Sequence, residues 1–196
     1  MGTAVGNDAD RVIVGITGAS GAPIALRVLD ALRAQSVPVS LVVSDGGAAV
    51  LQEECGISVR ELGSRVERVY AERDLAAPFA SGSRGSRGMV IVPCSSNTVA
   101  KVALGLADTL ITRAAHVHLK ERRPLILVPR ETPVSAIHLR HLASLAELGV
   151  VILDAAPPYY THPKSVDDQV AFLAGKVLDH LGVAHSLYRG WRVGEP

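Results

Sequence analysis

Only two cysteines, Cys55 and Cys94, occur in this 196-residue chain, and neither belongs to a C-x-x-C pair. They cannot build a disulfide framework, which points to a reduced, cytoplasmic setting. Aromatic residues are scarce at 4%, and a net charge of +1 gives little bulk attraction for a polyanion. With few stacking platforms and no basic surplus, nucleic acid is not expected as a partner. No run reaches the roughly 18 uninterrupted apolar residues of a membrane helix, because Gly, Arg or Asp breaks every one. The N-terminus has no basic flank before an apolar core, so no signal peptide is read. Gly6 stands where a myristoylation motif needs Ser or Thr. Metal chemistry also lacks its markers, for there is no H-E-x-x-H. His116 and His118 point different ways on a predicted helix, and His138 and His141 share a face without a third ligand nearby. All four are expected to be solvated helix histidines. Asp167 and Asp168 open a helix, where the macrodipole accounts for them. No metal site is predicted.

What is present is a globular composition, 48% hydrophobic and 20% charged, in a chain long enough for one full core. Residues 1–10 are small and polar and read as a loose tail. From there short β-branched runs alternate with helical spacing. "RVIVGIT" (11–17) is a strand, and "PIALRVLDALRAQ" (23–35) a helix with Pro23 at its first position. "VPVSLVVS" is a strand, "GGAAVLQEEC" a helix, and a short strand is possible at 66–70. "ASGSRGSRG" is a loop, "MVIVP" a buried strand, and 95–122 one broken helix or two consecutive ones. "PLILVP", "SAIHLRHLASLAELG", "VVILDA" and "VDDQVAFLAGKVLDHLG" complete the alternation. The fold class that follows is α/β: a single doubly wound domain with a mostly parallel sheet covered on both faces.

In such sheets ligands gather beyond the C-terminal ends of the strands, which selects five segments: "TGASGAP", "SDGG", "PCSSNT", "PRETP" and "DAAPPYYTHP". The first places Gly18, Ser20 and Gly21 where backbone N–H groups and a helix dipole can hold an anion. Its spacing across Gly15, Gly18 and Gly21 is not G-x-G-x-x-G, and it lacks the lysine of a P-loop. A tight turn with an N-cap explains it equally well. "PCSSNT" offers Ser95, Ser96, Asn97 and Thr98 as donors opening a helix, one of them an ordinary N-cap. Cys94 beside a buried strand reads as packing. Arg113 and Lys120 lie seven apart on one helical stripe, so both can reach one anion, although a solvated helix face is the plainer reading. Arg130 and Glu131, just past a strand end, put a cation and a carboxylate where a ligand would bind.

Taken in order, "TGASGA", "PCS", "LKERRPLILVPRE", "AAPPYY" and a C-terminal "GW" resemble the UbiX-type flavin prenyltransferases from about Arg11 to Trp191. The resemblance implies a Rossmann-like flavoprotein domain over 11–196, assembled as a homododecamer with active sites shared between subunits. It implies transfer of a dimethylallyl group from dimethylallyl phosphate to N5 and C6 of reduced FMN, giving prenylated FMN for a UbiD-type decarboxylase. Carried over by position, FMN meets Gly18, Ala19, Ser20, Ser44, Ser95, Ser96, Asn97, Thr98 and Arg130. The prenyl phosphate meets Arg113, Lys120, Glu131, Tyr160 and Lys176, with Tyr160 and Trp191 as aromatic walls. Ser20, Glu54 and Glu131 are the implied catalytic groups.

Two positions depart from the pattern: Asp45 stands where the family often has Lys, and Asn97 is shared with the related flavin-dependent cysteine decarboxylases. That alternative needs a histidine in the first half of the chain and a Met-rich clamp. Here the first histidine is His116 and there are only two methionines. A non-catalytic FMN carrier, for flavin storage or electron transfer, is the other alternative. For a prenyltransferase the logic of the cations is direct. A departing monophosphate can be held by Arg113, Lys120 and Lys176, Glu131 can manage its proton, and an allylic cation is stabilised by electron-rich rings.

Overall fold

Val12–Ile16 forms β1, buried at all five positions, as an apolar run without polar alternation requires when both sheet faces are covered. The computed structural model describes residues 8–191. After β1 come α1 (Ala22–Ala34), β2 (Val39–Val43), α2 (Asp45–Cys55), α3 (Val59–Leu62) and β3 (Arg68–Tyr70). Then follow β4 (Gly88–Cys94), α4 (Ser96–Ala103), α5 (Leu110–Lys120), β5 (Leu125–Pro129), α6 (Ala136–Glu147), β6 (Val151–Ile152) and α7 (Val166–Leu181). The six strands are all parallel, in the order β3-β2-β1-β4-β5-β6.

Alternate residues of the central strands feed two separate cores. Val12, Val14 and Ile16 of β1 join Val90 and Val92 of β4 beneath α1 and α7, whose Leu29, Ala174 and Leu178 are buried against them. Ile13, Met89, Ile91 and Leu127 face the other way, against Val99 of α4, Ile111 and Ala115 of α5 and Leu145 of α6. This is the period-2 geometry of a strand sandwiched between two helical layers. Helix α6 is the thinnest cover. Only Leu145 of it is fully buried, while Ile137 and Leu139 are exposed.

Several expectations are refined. Residues 1–7 of the predicted loose tail lie outside the described residues; Asp8–Asp10 form a 3-10 turn, and Asp10 pairs with Arg87 at 3.2 Å. The 95–122 segment is two helices, α4 and α5. Helix α3 was not anticipated; one turn long, it is fixed by a capping box between Ser58 and Glu61. His118 overturns the expectation of solvated histidines. It is fully buried, with Ala114 O 2.7 Å from Nδ1 and the Ser86 hydroxyl 2.8 Å from Nε2. Burial pushes its pKa down to about 4, so the ring is neutral, donating to the carbonyl and accepting from the serine. Among the described residues no helix is long and apolar enough to cross a membrane.

Candidate functional site

Chain direction across the sheet reverses between β1 and β4, because β2 and β3 add on one side and β5 and β6 on the other. Thr17, directly after β1, ties the two ends together. Its hydroxyl donates to Pro93 O at 2.9 Å and accepts from Ser95 N–H at 2.8 Å. Beside this stitch lies a cavity of about 270 Å³ into which three helix N-termini converge. Helix α2 is capped by Ser44, whose Oγ accepts from Gly47 N–H at 3.0 Å. Helix α4 is capped by Ser95 through Thr98 N–H at 3.2 Å, and α5 by Thr109 through Thr112 N–H at 3.3 Å. The remaining first-turn N–H groups and three dipoles make the cavity receptive to an anion.

Glycine is what lets the walls meet. A Cβ at Gly18 would stand 3.1 Å from Gly46 Cα, and one at Gly47 only 2.4 Å from the Ile16 carbonyl oxygen. The start of α2 is therefore pressed onto the end of β1, with no room for a side chain between them. The rim carries charge of both signs. Lys101 Nζ pairs with Asp108 at 2.7 Å, and Asp45 faces Glu72 across the opening. Burial, reinforced by the Asp45 carboxylate, pushes Glu72 above the usual carboxylate range. Gly18, Ser44, Ser95, Asn97 and Thr98, all singled out from sequence, line this cavity.

Ser20 and Glu54 form a second group. The Glu54 carboxylate accepts from the N–H groups of Gly21 at 2.9 Å and Ala22 at 2.8 Å, and from the Ser20 hydroxyl. The anion seat at the start of α1, which the sequence left open for a ligand, is thus taken by the protein's own carboxylate. Partial burial works to raise the Glu54 pKa, but those hydrogen bonds and the Arg130 guanidinium outweigh it and hold it low. Ala19 belongs to the loop leading to this cap.

Ser96 turns away from the cavity and donates to Glu131 at 3.0 Å, while Thr132 N–H donates to the other Glu131 oxygen at 3.3 Å. These two residues open an apolar groove of about 180 Å³ between Val99 of α4, Ile152 of β6 and Val134, Leu139 and Leu142. Glu131 is therefore fixed by a serine and a backbone amide at the mouth of an apolar space.

The expected phosphate-binding cations lie elsewhere. Arg113 Nε donates to Ala80 O at 3.1 Å, and Lys120 pairs with Glu121. Both face the Gly/Ser/Arg loop, where a Cβ at Gly82 would collide with Glu121 and the Lys120 ammonium. Tyr160 and Trp191 meet edge to face at 5.2 Å on a wide cleft of about 750 Å³ formed by the C-terminal segment and α7. Lys176 reaches Asp179 at 3.2 Å. The three cavities share no lining residue. Cys94 is fully buried and its thiol is pushed up by desolvation, as packing requires. Sequence reasoning missed Thr17, Lys101, Glu72, Thr109 and Thr112. Of these only Thr109 carried a readable signal, the Thr-x-x-Thr at the start of α5.

Comparison with known proteins places these features in context. A model of the Flavoprotein family matches residues 4–177. The flavin prenyltransferase UbiX of Thermoplasma acidophilum is 48% identical over 181 residues, covering 92% of this chain and 99% of that protein. A dodecameric FMN-dependent UbiX-like decarboxylase from Escherichia coli O157:H7 superposes with a TM-score of 0.91 at 40% identity, over 93% of this chain and all of that one. AnUbiX (PadA1), solved in complex with FMN and dimethylallyl pyrophosphate, gives 0.91 at 38% identity over 94% and 98%. An FMN-dependent cysteine decarboxylase of thioviridamide biosynthesis reaches 0.63 at 17% identity, a likeness of fold alone.

Proposed function

Because the chain belongs to the flavin prenyltransferase family of flavoproteins, we propose that the cavity where the sheet reverses holds the phosphate end of FMN. The protein is a flavin prenyltransferase, joining a dimethylallyl group to reduced FMN to make prenylated FMN. The carrying observation is the convergence of three capped helix N-termini on one small cavity, which suits a dianionic phosphate bound by backbone N–H groups and hydroxyls. The Gly18–Gly46 contact supports the fit, since a Cβ on either residue would crowd the cavity wall. Reduced FMN, when bound, would supply the electron-rich ring: N5 would take the allylic carbon, losing its proton as the C–O bond breaks and the electron pair leaves with phosphate, and C6 would take the far alkene carbon, losing its proton as the C=C bond is consumed by protonation.

The remaining work belongs to the chain. Arg113, Lys120 and Lys176, with Tyr160, are assigned to the phosphate of the donor, dimethylallyl phosphate. Trp191 and Tyr160 are assigned to the prenyl end, where ring faces favour developing positive charge. Glu131 moves a proton to or from the departing phosphate, and Ser20, hydrogen-bonded to Glu54, orients the flavin edge. These groups lie apart on one chain, with Tyr160 and Trp191 on one cleft and Glu131 on another, so the complete site combines neighbouring subunits. The exposed apolar side chains of α6 and the dodecameric relative support a homo-oligomer of this kind. The natural reading of its context is a cytoplasmic enzyme whose product serves a UbiD-type decarboxylase. The cysteine decarboxylase reading is not favoured, since no histidine precedes His116.

Anaerobic mixing with reduced FMN and dimethylallyl phosphate, followed by mass analysis of the released flavin, tests the activity; an unaltered FMN mass refutes it. Glu131→Gln tests the proton role. FMN binding is expected to persist while turnover falls roughly 100-fold, the scale for losing a positioned acid or base. Parental turnover in that variant would transfer the role to Glu54 and Ser20.

A further inference from the structure

One carboxylate outside the groups assigned so far gathers three donors. Asp179, near the end of α7, accepts from Lys176 Nζ at 3.2 Å and the Tyr188 hydroxyl at 2.5 Å on one oxygen, and from His185 Nε2 at 3.0 Å on the other. The histidine tautomer is fixed by its second nitrogen, because Leu187 N–H donates to Nδ1 at 3.2 Å. Nε2 must then carry the proton given to Asp179. Lys176 and Tyr188 are thus held by the same oxygen atom.

The Tyr188 ring lies along a single stripe of α7. Its centroid is 4.7 Å from that of Phe172, and a Cβ on Gly175 would stand 2.5 Å from its Cδ1. Phe172, Gly175 and Asp179 are spaced three and four apart, so they share one helix face. Gly175 is glycine because the ring occupies the place of a side chain. The contacts continue from Phe172 to Tyr160 at 6.2 Å and from Tyr160 to Trp191 at 5.2 Å. A path of direct contacts therefore links Asp179 to both aromatic walls, and a single hydrogen bond links it to Lys176.

We propose that Asp179 is a positioning residue for the prenyl phosphate site, holding the C-terminal arm that carries Trp191 against α7 while aiming the Lys176 ammonium. This rests on the roles proposed above for Lys176, Tyr160 and Trp191. A lysine on a flexible four-carbon stem loses much freedom when it binds phosphate, and less if it is already aimed. The carboxylate also has a cost, since it offsets part of the lysine charge. The direction of change on removing it therefore separates the two effects: loss of aim weakens donor binding, whereas loss of competition strengthens it.

Trp191 is the sole tryptophan of the chain, so its emission reports on the arm alone. The test compares the full-length assembled enzyme with Asp179→Ala and Tyr188→Phe. Removing a group that aids ground-state and transition-state binding alike raises KM and leaves kcat nearly unchanged. For Asp179→Ala we expect a KM for dimethylallyl phosphate about tenfold higher, kcat within about threefold of the parent, unchanged FMN affinity and stronger acrylamide quenching of Trp191. Tyr188→Phe keeps the ring on Gly175 and loses only the hydroxyl, so it should show both changes to a lesser degree, and it carries the test if Asp179→Ala does not fold. Parental or lower KM overturns the proposal, even with a loosened arm, because the junction would then serve folding only. Parental quenching in both variants overturns it as well. If the parent itself makes no prenylated flavin, the functional reading falls, and titration of dimethylallyl phosphate by calorimetry together with the quenching still decides the role of Asp179.

Discussion

Replacing Gly47 by alanine adds one methyl group where α2 is pressed onto the end of β1, next to the cavity-lining Gly46. Its Cβ would lie 2.4 Å from the Ile16 oxygen and 2.8 Å from the Ile16 carbonyl carbon. Relief requires about 1 Å of movement between backbones that have no flexible side chain to yield. That same oxygen accepts from Ser44 N–H at 3.0 Å, so the bond joining the end of β1 to the cap of α2 is strained first. Overpacking costs roughly 1–3 kcal/mol and a weakened hydrogen bond about 1 more, against about 1 kcal/mol gained from alanine in a helix. The net expectation is a loss of about 1–3 kcal/mol, or roughly 2–12 °C in Tm for a chain of this size. FMN affinity should fall about five- to tenfold, because the displaced helix end no longer aims its dipole at the phosphate. Urea unfolding and flavin fluorescence titration measure the two effects. Gly56→Ala is the control: its Cβ meets nothing within 4 Å, but its φ is +64°. It should cost about 1 kcal/mol and leave FMN affinity alone. A Gly47→Ala protein that unfolds with the parent and binds FMN equally well would refute the close-approach argument.

Two pH dependences follow from the charged and buried groups. His118 is held neutral, with a folded pKa of about 4 against an ordinary 6.5. Its contribution is complete above pH 6.5 and is lost as pH falls towards 4, where only the unfolded chain takes the proton; the whole span is worth up to roughly 3 kcal/mol. His118→Gln should flatten denaturant-derived stability across that window, and an unchanged slope would contradict it. Glu54 has the opposite chemistry. Its carboxylate pKa is lowered, so its stabilisation of the α1 N-terminus is present above its ordinary value of 4.5 and fades as pH drops below it. Glu54→Gln should cost about 0.5–1 kcal/mol at neutral pH, reduced by solvent screening, with the difference shrinking in acid. A gap that is constant with pH would refute the charge-based account.

The architecture was legible because the strands are short, apolar and flanked by capping residues. The run at 11–17 and Pro23 at the start of α1 are signals that tertiary context had no reason to override. Ser95 was readable as a donor because it follows a strand directly and stands at a helix start, whereas Ser44 was reached only through the family resemblance. What escaped were partnerships made across the sequence. Glu54 reaches 32 residues back to cap α1, and Thr17 joins a residue 78 positions away. His118 looks solvated in a charged stretch, yet the helical stripe that carries it turns inward to meet Ser86. Periodicity describes which way a side chain points, whereas such contacts depend on which loop arrives there.

The bare side of α6 gives the protein an economy of surface. Val134 and Leu139 line the groove that Glu131 opens, and Ile137 is left to water beside them. In the proposed assembly, a neighbouring subunit that shields this greasy patch also walls the reaction space. Solubility and catalytic competence are then one selectable trait, so dilution into free subunits would forfeit both at once.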